Sequence, residues 1–88
     1  MIRKHIVFHG DVQGVGFRYR ARYSAEANGC TGRVRNEWDG TVTMEIQGDE
    51  RAIDQVLWDI DRGTYIRIEQ MESRTIPLKP EERSFRYG

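Results

Sequence analysis

The stretch from Gly10 to Arg18 contains the residue types that bind an anion. It places three glycines, Gly10, Gly14 and Gly16, within seven residues, and an arginine follows at the second position of a predicted helix. Glycines let successive backbone N–H groups face one concave surface, and a helix N-terminus adds unpaired N–H groups and partial positive charge. The Arg18 guanidinium can donate two parallel hydrogen bonds to an oxyanion. The stretch predicts a cradle of about phosphate size, with a tight glycine turn and a solvated arginine as the alternative.

Other nucleotide-binding loops fit this stretch less well. A Walker A loop ends in Gly-Lys-Ser/Thr, whereas Gly16 is followed by Phe17 and Arg18. A dinucleotide fingerprint needs a third glycine where Tyr19 stands. RNA-recognition domains carry their Gly–aromatic motif on an inner strand, and here the similar residues precede a helix.

A second stretch, from Gly32 to Gly40, offers one polar side chain for chemistry. Strand alternation places Val34 and Asn36 on the same face. An Asn before a turn often bonds nearby backbone. Asn36 is therefore either a turn-forming residue or a positioned amide. It supports a functional site only in combination with the loop at residues 10–18.

Composition limits the classes of function. The 88 residues include 14 basic and 14 acidic residues, so the formal net charge is zero, which argues against a nucleic-acid-binding module. The single Cys allows no internal disulfide. No apolar run approaches the roughly 20 residues of a membrane span, and no secretory leader is visible. We expect one domain over residues 1–88, located in the cytoplasm, without a membrane partner.

Hydrophobic spacing predicts the elements that position these residues. Strands are expected over 4–12, 32–36, 41–47, 66–72 and 84–87. One helix is expected to begin at Phe17 and to end at Asn28-Gly29. A second is expected around Ile53–Ile60, with Asp49 as its N-cap. Met71 lies out of phase in its strand, which suggests a bulge there. This order predicts an α+β fold: a ferredoxin-like split β-α-β sandwich, with an antiparallel or mixed four- to five-stranded sheet and two helices on one face.

Two motifs in the chain resemble those of the acylphosphatase family. Residues 10–18 match its G-x-V-Q-G-V-G-F-R loop throughout, and residues 32–48 match its G-x-V-x-N-x-x-x-G-x-V-x-x-x-x-x-G pattern. The terminal Phe85-Arg86-Tyr87 resembles a shortened form of the family's closing motif, while residues 62–83 match poorly. The resemblance spans the chain, and its expected fold agrees with the one derived above.

The resemblance implies hydrolysis of the carboxyl–phosphate bond of small acyl phosphates. It assigns phosphate binding to Arg18 and to the backbone of the loop residues Gln13, Gly14, Val15, Gly16 and Phe17. It assigns orientation of the attacking water to Asn36, and it implies neither metal nor cofactor. The spacing of His5 and His9 on one strand face does not by itself predict a metal site, because no further ligand cluster accompanies them.

Two other functions remain open at this stage. One is an acylphosphatase-like domain that binds phosphate or carbamoyl phosphate without turnover, which would resemble the N-terminal part of hydrogenase-maturation carbamoyltransferases. An RNA-binding module of the same fold is disfavoured by the neutral charge.

Tyr19 and Tyr23, four residues apart, either stack together or line a substrate mouth. We expect a monomer whose partner is a small-molecule acyl phosphate.

Overall fold

The computed structural model describes residues 1–88 and contains seven regular elements. They are β1 (Ile2–Asp11), α1 (Phe17–Ala27), β2 (Thr31–Asn36), β3 (Val42–Gly48), α2 (Glu50–Asp61), β4 (Arg67–Ile76) and β5 (Phe85–Tyr87). This order of strands and helices is the order that the hydrophobic spacing predicts.

The strands form one mixed sheet in the order β4-β1-β3-β2-β5. The pairs β1–β4, β1–β3 and β2–β3 are antiparallel, and only β5 runs parallel to its neighbour, β2. Helices α1 and α2 pack against each other. The predicted α+β, ferredoxin-like class is therefore confirmed, with the sheet five-stranded and mixed.

The core lies between one face of the sheet and the two helices. Both helices and strands β1, β2 and β3 contribute residues that are 2% exposed or less, whereas β4 contributes no buried residue; these core residues include Ile6, Phe8, Val34, Met44, Ile46, Phe17, Ala21, Ala25, Ile53, Val56 and Ile60. The α2 residues fall at the i, i+3 and i+7 spacing of one helix face, which is why that helix packs stably although its other side is charged. Neither helix has the length and apolar character needed to cross a bilayer.

A buried arginine and a long connection cover part of the other face of the sheet. Arg3 on β1 is fully buried and donates to the Glu82 carboxylate at 2.7 Å and to the Glu45 carboxylate at 3.0 Å. Gln47 exchanges two hydrogen bonds with the backbone of Lys79, at 2.8 and 3.0 Å. The segment between β4 and β5 is thereby attached to the sheet before it enters the last strand.

The fourth strand differs from its prediction. It extends over Arg67–Ile76 and not over 66–72, because β1 provides a full-length antiparallel partner that a local pattern cannot reveal. His9 pairs with Gln70 and Gly10 with Ile68, so the irregularity lies at Glu69 and not at Met71. Asp49 occupies the N-cap position of α2, but its side chain makes no capping hydrogen bond.

Candidate active site

The loop between β1 and α1 presents a row of unpaired backbone donors. Gly14 and Gly16 have left-handed φ angles of 72° and 80°, which residues with a Cβ rarely adopt. The first helical hydrogen bond runs from Arg20 N to Gly16 O at 3.0 Å, and no backbone N–H of residues 13–19 donates to a protein acceptor. The first turn of α1 contains no acidic residue. The helix N-terminus therefore keeps its full attraction for an anion.

Apolar contacts anchor this loop to the core. Phe17 is 2% exposed, and its ring meets that of Phe8 edge-to-face, with centroids 4.8 Å apart and an interplanar angle of 61°. Val15 is partly buried and packs against the same core. The side chains of Val15 and Phe17 thus fix the backbone between them, whose N–H groups have no protein acceptor.

Strand register places Asn36 beside this loop. Phe8 of β1 and Asn36 of β2 are both partners of Val42 on the strand that lies between them. Asn36 therefore lies at the end of the sheet where β1 continues into the loop. Its neighbour on the same face, Val34, is 1% exposed in the core, so the Asn36 side chain projects from the core-facing side of β2.

A cavity of about 150 Å³ brings most of the sequence-predicted site residues together. Its lining consists of Val12, Gly14, Gly16, Phe17, Arg18, Tyr19, Asn36 and Tyr87. Gln13 and Val15, which the resemblance also assigns to the substrate, are not part of this lining. The only charged side chain among the lining residues is that of Arg18, so the cavity favours an anion.

The Gln13 side chain bonds the neighbouring hairpin and does not line the cavity. Its Nε2 donates to the backbone oxygen of Glu37 at 2.7 Å and to that of Thr41 at 2.9 Å. Glu37 and Thr41 are themselves joined by a backbone hydrogen bond of 2.9 Å at the base of the β2–β3 turn. Gln13 therefore connects the anion-binding loop to the hairpin that carries Asn36.

The Arg18 side chain is held by the last strand. Its Nη1 donates to the backbone oxygen of Gly88 at 2.7 Å, and its guanidinium lies 5.9 Å from the centre of the Tyr87 ring. Gly88 N in turn donates to Val34 O at 3.1 Å. Sequence reasoning missed Tyr87 and Gly88 as site residues; the closing Phe85-Arg86-Tyr87 motif was the available signal.

The carboxylates nearest to Asn36 in sequence are held by their own hairpin. Hydrogen bonds from Thr43 and Arg35 lower the pKa of Glu37, with Oγ1 of Thr43 at 2.5 Å and Nε of Arg35 at 2.8 Å from its carboxylate. Hydrogen bonds from the Thr41 hydroxyl and backbone N–H lower the pKa of Asp39. Both groups are ionised at neutral pH, and neither lines the cavity.

No group of three or more His, Cys, Asp or Glu side chains is arranged to hold a metal ion. His9, one of the two strand histidines, instead pairs through Nε2 with the Glu72 carboxylate of β4 at 2.6 Å. The one cysteine, Cys30, is buried, and its burial raises the pKa of the thiol, as does the nearby Asp49 charge.

Fold and cavity together define a ferredoxin-like α+β protein in which unpaired backbone N–H groups and Arg18 lie at the start of the first helix. The family model for acylphosphatases matches residues 4–87. An acylphosphatase of Geobacillus thermodenitrificans is 42% identical over 100% of this chain and 97% of its own length. One of Geobacillus kaustophilus is 41% identical over the same shares. The crystal structure of acylphosphatase from Bacillus subtilis superposes with a TM-score of 0.91 at 26% identity, covering 100% of this chain and 99% of that one.

The chain belongs to the acylphosphatase family. The resemblance drawn from the two sequence motifs is therefore confirmed, and so is the prediction of an enzyme that hydrolyses acyl phosphates. The roles of individual residues stay predictions.

Proposed function

We propose that Arg18 and the backbone N–H groups of the Gln13–Phe17 loop bind the phosphate of an acyl phosphate, while Asn36 orients the attacking water. The observation that carries this proposal is that Arg18, Asn36 and the loop glycines line one cavity. Gln13 and Val15 enter through their main-chain N–H groups only, since neither side chain lines it. Residues 1–88 act as one domain in this proposal.

The reaction is a single in-line displacement at phosphorus. Water forms a new P–O bond, and the bond between phosphorus and the carboxylate oxygen breaks. The dianionic substrate and water give a carboxylate monoanion and a dihydrogen phosphate monoanion. Both hydrogens of the attacking water end on the phosphate. A carboxylate leaves readily, so this chain needs no acid on the leaving group. The proton moves to the substrate's own phosphate, and no side-chain base is required.

The cationic side of the cavity stabilises charge on the transferred phosphoryl group. Arg18 can donate a forked pair of hydrogen bonds, and the loop N–H groups need no reorganisation because no protein acceptor occupies them. Removing one donor of this kind typically costs about 2.7–4 kcal/mol in the activation barrier. The Gly88 carbonyl restrains Arg18 before substrate arrives, which reduces the entropy lost on binding.

Asn36 is suited to water because its carboxamide both accepts and donates hydrogen bonds. Its oxygen can accept from the water while its NH₂ donates to the water or to the substrate. A neutral amide does this next to a dianion without the repulsion that a carboxylate would add. Holding water in line is the positioning contribution that the reaction requires.

The test is phosphate release from benzoyl phosphate and acetyl phosphate without added metal and again in the presence of EDTA. We expect Arg18→Ala and Asn36→Ala each to lower kcat more than a hundredfold, as removal of one transition-state donor does, and EDTA to have no effect. Arg51→Ala is the matched control, because Arg51 is an exposed arginine on α2 that does not line the cavity. Folded variants that keep nearly full rates would contradict the assigned roles.

Measuring the binding of inorganic phosphate beside hydrolysis separates catalysis from simple binding. Asn36→Asp keeps the size of the side chain and adds a negative charge beside the phosphate, so we expect it to weaken binding of inorganic phosphate as well as turnover. Wild-type protein that binds phosphate but releases none from either acyl phosphate would instead indicate a binding domain.

Assembly and location are part of the same proposal. We expect a monomer, and sedimentation at micromolar concentration tests this. We expect the protein in the cytoplasm, and fractionation of the source cells with an antibody against the chain tests that.

A further inference from the structure

A second groove adjoins the phosphate cavity. It encloses about 150 Å³ and is lined by Tyr19, Arg22, Tyr23, Glu26 and Tyr87. Tyr19 and Tyr87 line the phosphate cavity as well. A substrate whose phosphate lies beside Arg18 therefore has this groove as a neighbouring space for the group attached to it.

The groove is unusually aromatic for an exposed surface. Tyr19 and Tyr23 are 67% and 70% exposed, although their spacing places them side by side on α1. Tyr87, from the other wall, is 44% exposed. Exposed aromatic side chains gathered in one patch next to a polar cavity are typical of a contact surface for a ligand.

Charges within the groove are compensated. Arg22 Nε lies 3.6 Å from the Glu26 carboxylate, one helical turn away, and its guanidinium lies over the Tyr87 ring, 5.3 Å from the centroid. The net charge of these two side chains is zero, in contrast to the single unpaired cation of the phosphate cavity. The groove therefore has no excess charge for a second anion, while its ring faces suit a flat, neutral, π-bearing group.

We infer that this aromatic groove binds the acyl group of the substrate and favours flat aromatic acyl groups over small aliphatic ones. The inference rests on the proposed function, because it takes the phosphate position from it. Tyr19 and Tyr23 are the residues that determine the preference, since they contribute the freest ring faces. Tyr23 does not line the phosphate cavity, so its variants test the acyl group apart from the displacement at phosphorus.

The experiment measures kcat/KM for benzoyl phosphate and acetyl phosphate and compares their ratio among variants. We expect Tyr19→Ala and Tyr23→Ala each to lower the benzoyl-to-acetyl ratio by about three- to tenfold, which is the range of one aromatic pair. Tyr23→Leu keeps apolar bulk without a ring face, so its ratio should lie between those of wild type and Tyr23→Ala. Both residues are exposed, and circular dichroism checks that each variant is folded.

Trp58→Ala is the matched control. Trp58 is an exposed aromatic residue, 59% exposed on α2, that lines a different groove, so both rates should match those of wild type. If the tyrosine variants keep the wild-type ratio while Asn36→Ala abolishes hydrolysis of both substrates, the acyl-group inference is wrong and the proposed function stands. If wild type hydrolyses neither substrate, both fail.

Discussion

The side-chain amide of Gln13 donates to the backbone oxygen of Glu37 at 2.7 Å, and by this bond the anion-binding loop is joined to the β2–β3 hairpin. A second bond from the same nitrogen reaches Thr41 O at 2.9 Å. The two halves of the cavity come from separate parts of the chain, and this contact joins them. Because the Gln13 side chain does not line the cavity, we expect it to position the hairpin and not to contact the substrate.

Gln13→Ala should lower kcat about tenfold and change inhibition by inorganic phosphate less than threefold. The reason is that Arg18 and the loop N–H groups remain, while the water that Asn36 is proposed to hold loses its fixed position. Small displacements of a reacting group can lower the rate up to about a hundredfold. Steady-state kinetics with phosphate as inhibitor separates the two effects. Gln55→Ala is the control, because Gln55 also donates a hydrogen bond but from an exposed site on α2. Equal losses in turnover and phosphate affinity would assign Gln13 to phosphate binding instead.

Arg18→Lys should retain the positive charge and still lose more than tenfold in kcat/KM. A lysine cannot donate a planar fork to phosphate while also bonding the Gly88 carbonyl that Arg18 contacts at 2.7 Å. The measurement is kcat/KM for acetyl phosphate at low and high salt. A variant as active as wild type would indicate that charge alone, and not the fork, is required.

Gly32→Ala should destabilise the fold far more than Gly40→Ala. Both glycines have positive φ angles, 146° and 91°, but a Cβ on Gly32 would collide with the backbone oxygen of Glu45 whereas one on Gly40 meets no atom within 4 Å. We expect a loss of about 1–2 kcal/mol for Gly40→Ala from backbone strain and about 3 kcal/mol or more for Gly32→Ala. Urea denaturation gives both values, and similar losses would show that the β2–β3 contact relaxes freely.

Acid should weaken the cluster around Arg3. Burial opposes ionisation of Glu45 and Glu82, but the hydrogen bonds from Arg3 and the neighbouring cations outweigh it, so the pKa of each carboxyl lies below its usual value of 4.5. Their stabilising contribution is therefore present above about pH 4.5 and is lost as pH falls through the lowered folded-state pKa.

We expect the free energy of unfolding to decline as the pH falls below about 4.5 and the decline to be smaller in Glu82→Gln. Arg3→Met should cost about 3 kcal/mol at pH 7, because it leaves two mostly buried carboxylates without their shared cation. Denaturation at several pH values checks both statements. A Glu82→Gln variant with the wild-type pH dependence would remove Glu82 from the explanation.

Local hydrophobic patterns were sufficient to predict the helices and strands of this protein. The i, i+3, i+4 spacing of Ile53, Val56 and Leu57 and the alternation of Val42, Met44 and Ile46 identify elements whose faces must be buried, whatever lies across from them. The glycines before Phe17 likewise predicted an anion cradle, because left-handed turns at a helix start depend on residues that are adjacent in the chain.

The amino-acid sequence by itself determined the element order, the fold class and the family, and it predicted that Arg18 and Asn36 act in one site. Only the tertiary structure decided that the Gln13 side chain bonds a hairpin, that Gly88 restrains Arg18, and that Tyr87 from the last strand meets Tyr19 and Arg22 beside the cavity. It also decided the length of β4 and the burial of Arg3. These features depend on strand register and on contacts between distant segments, and periodicity within one segment carries no information about either.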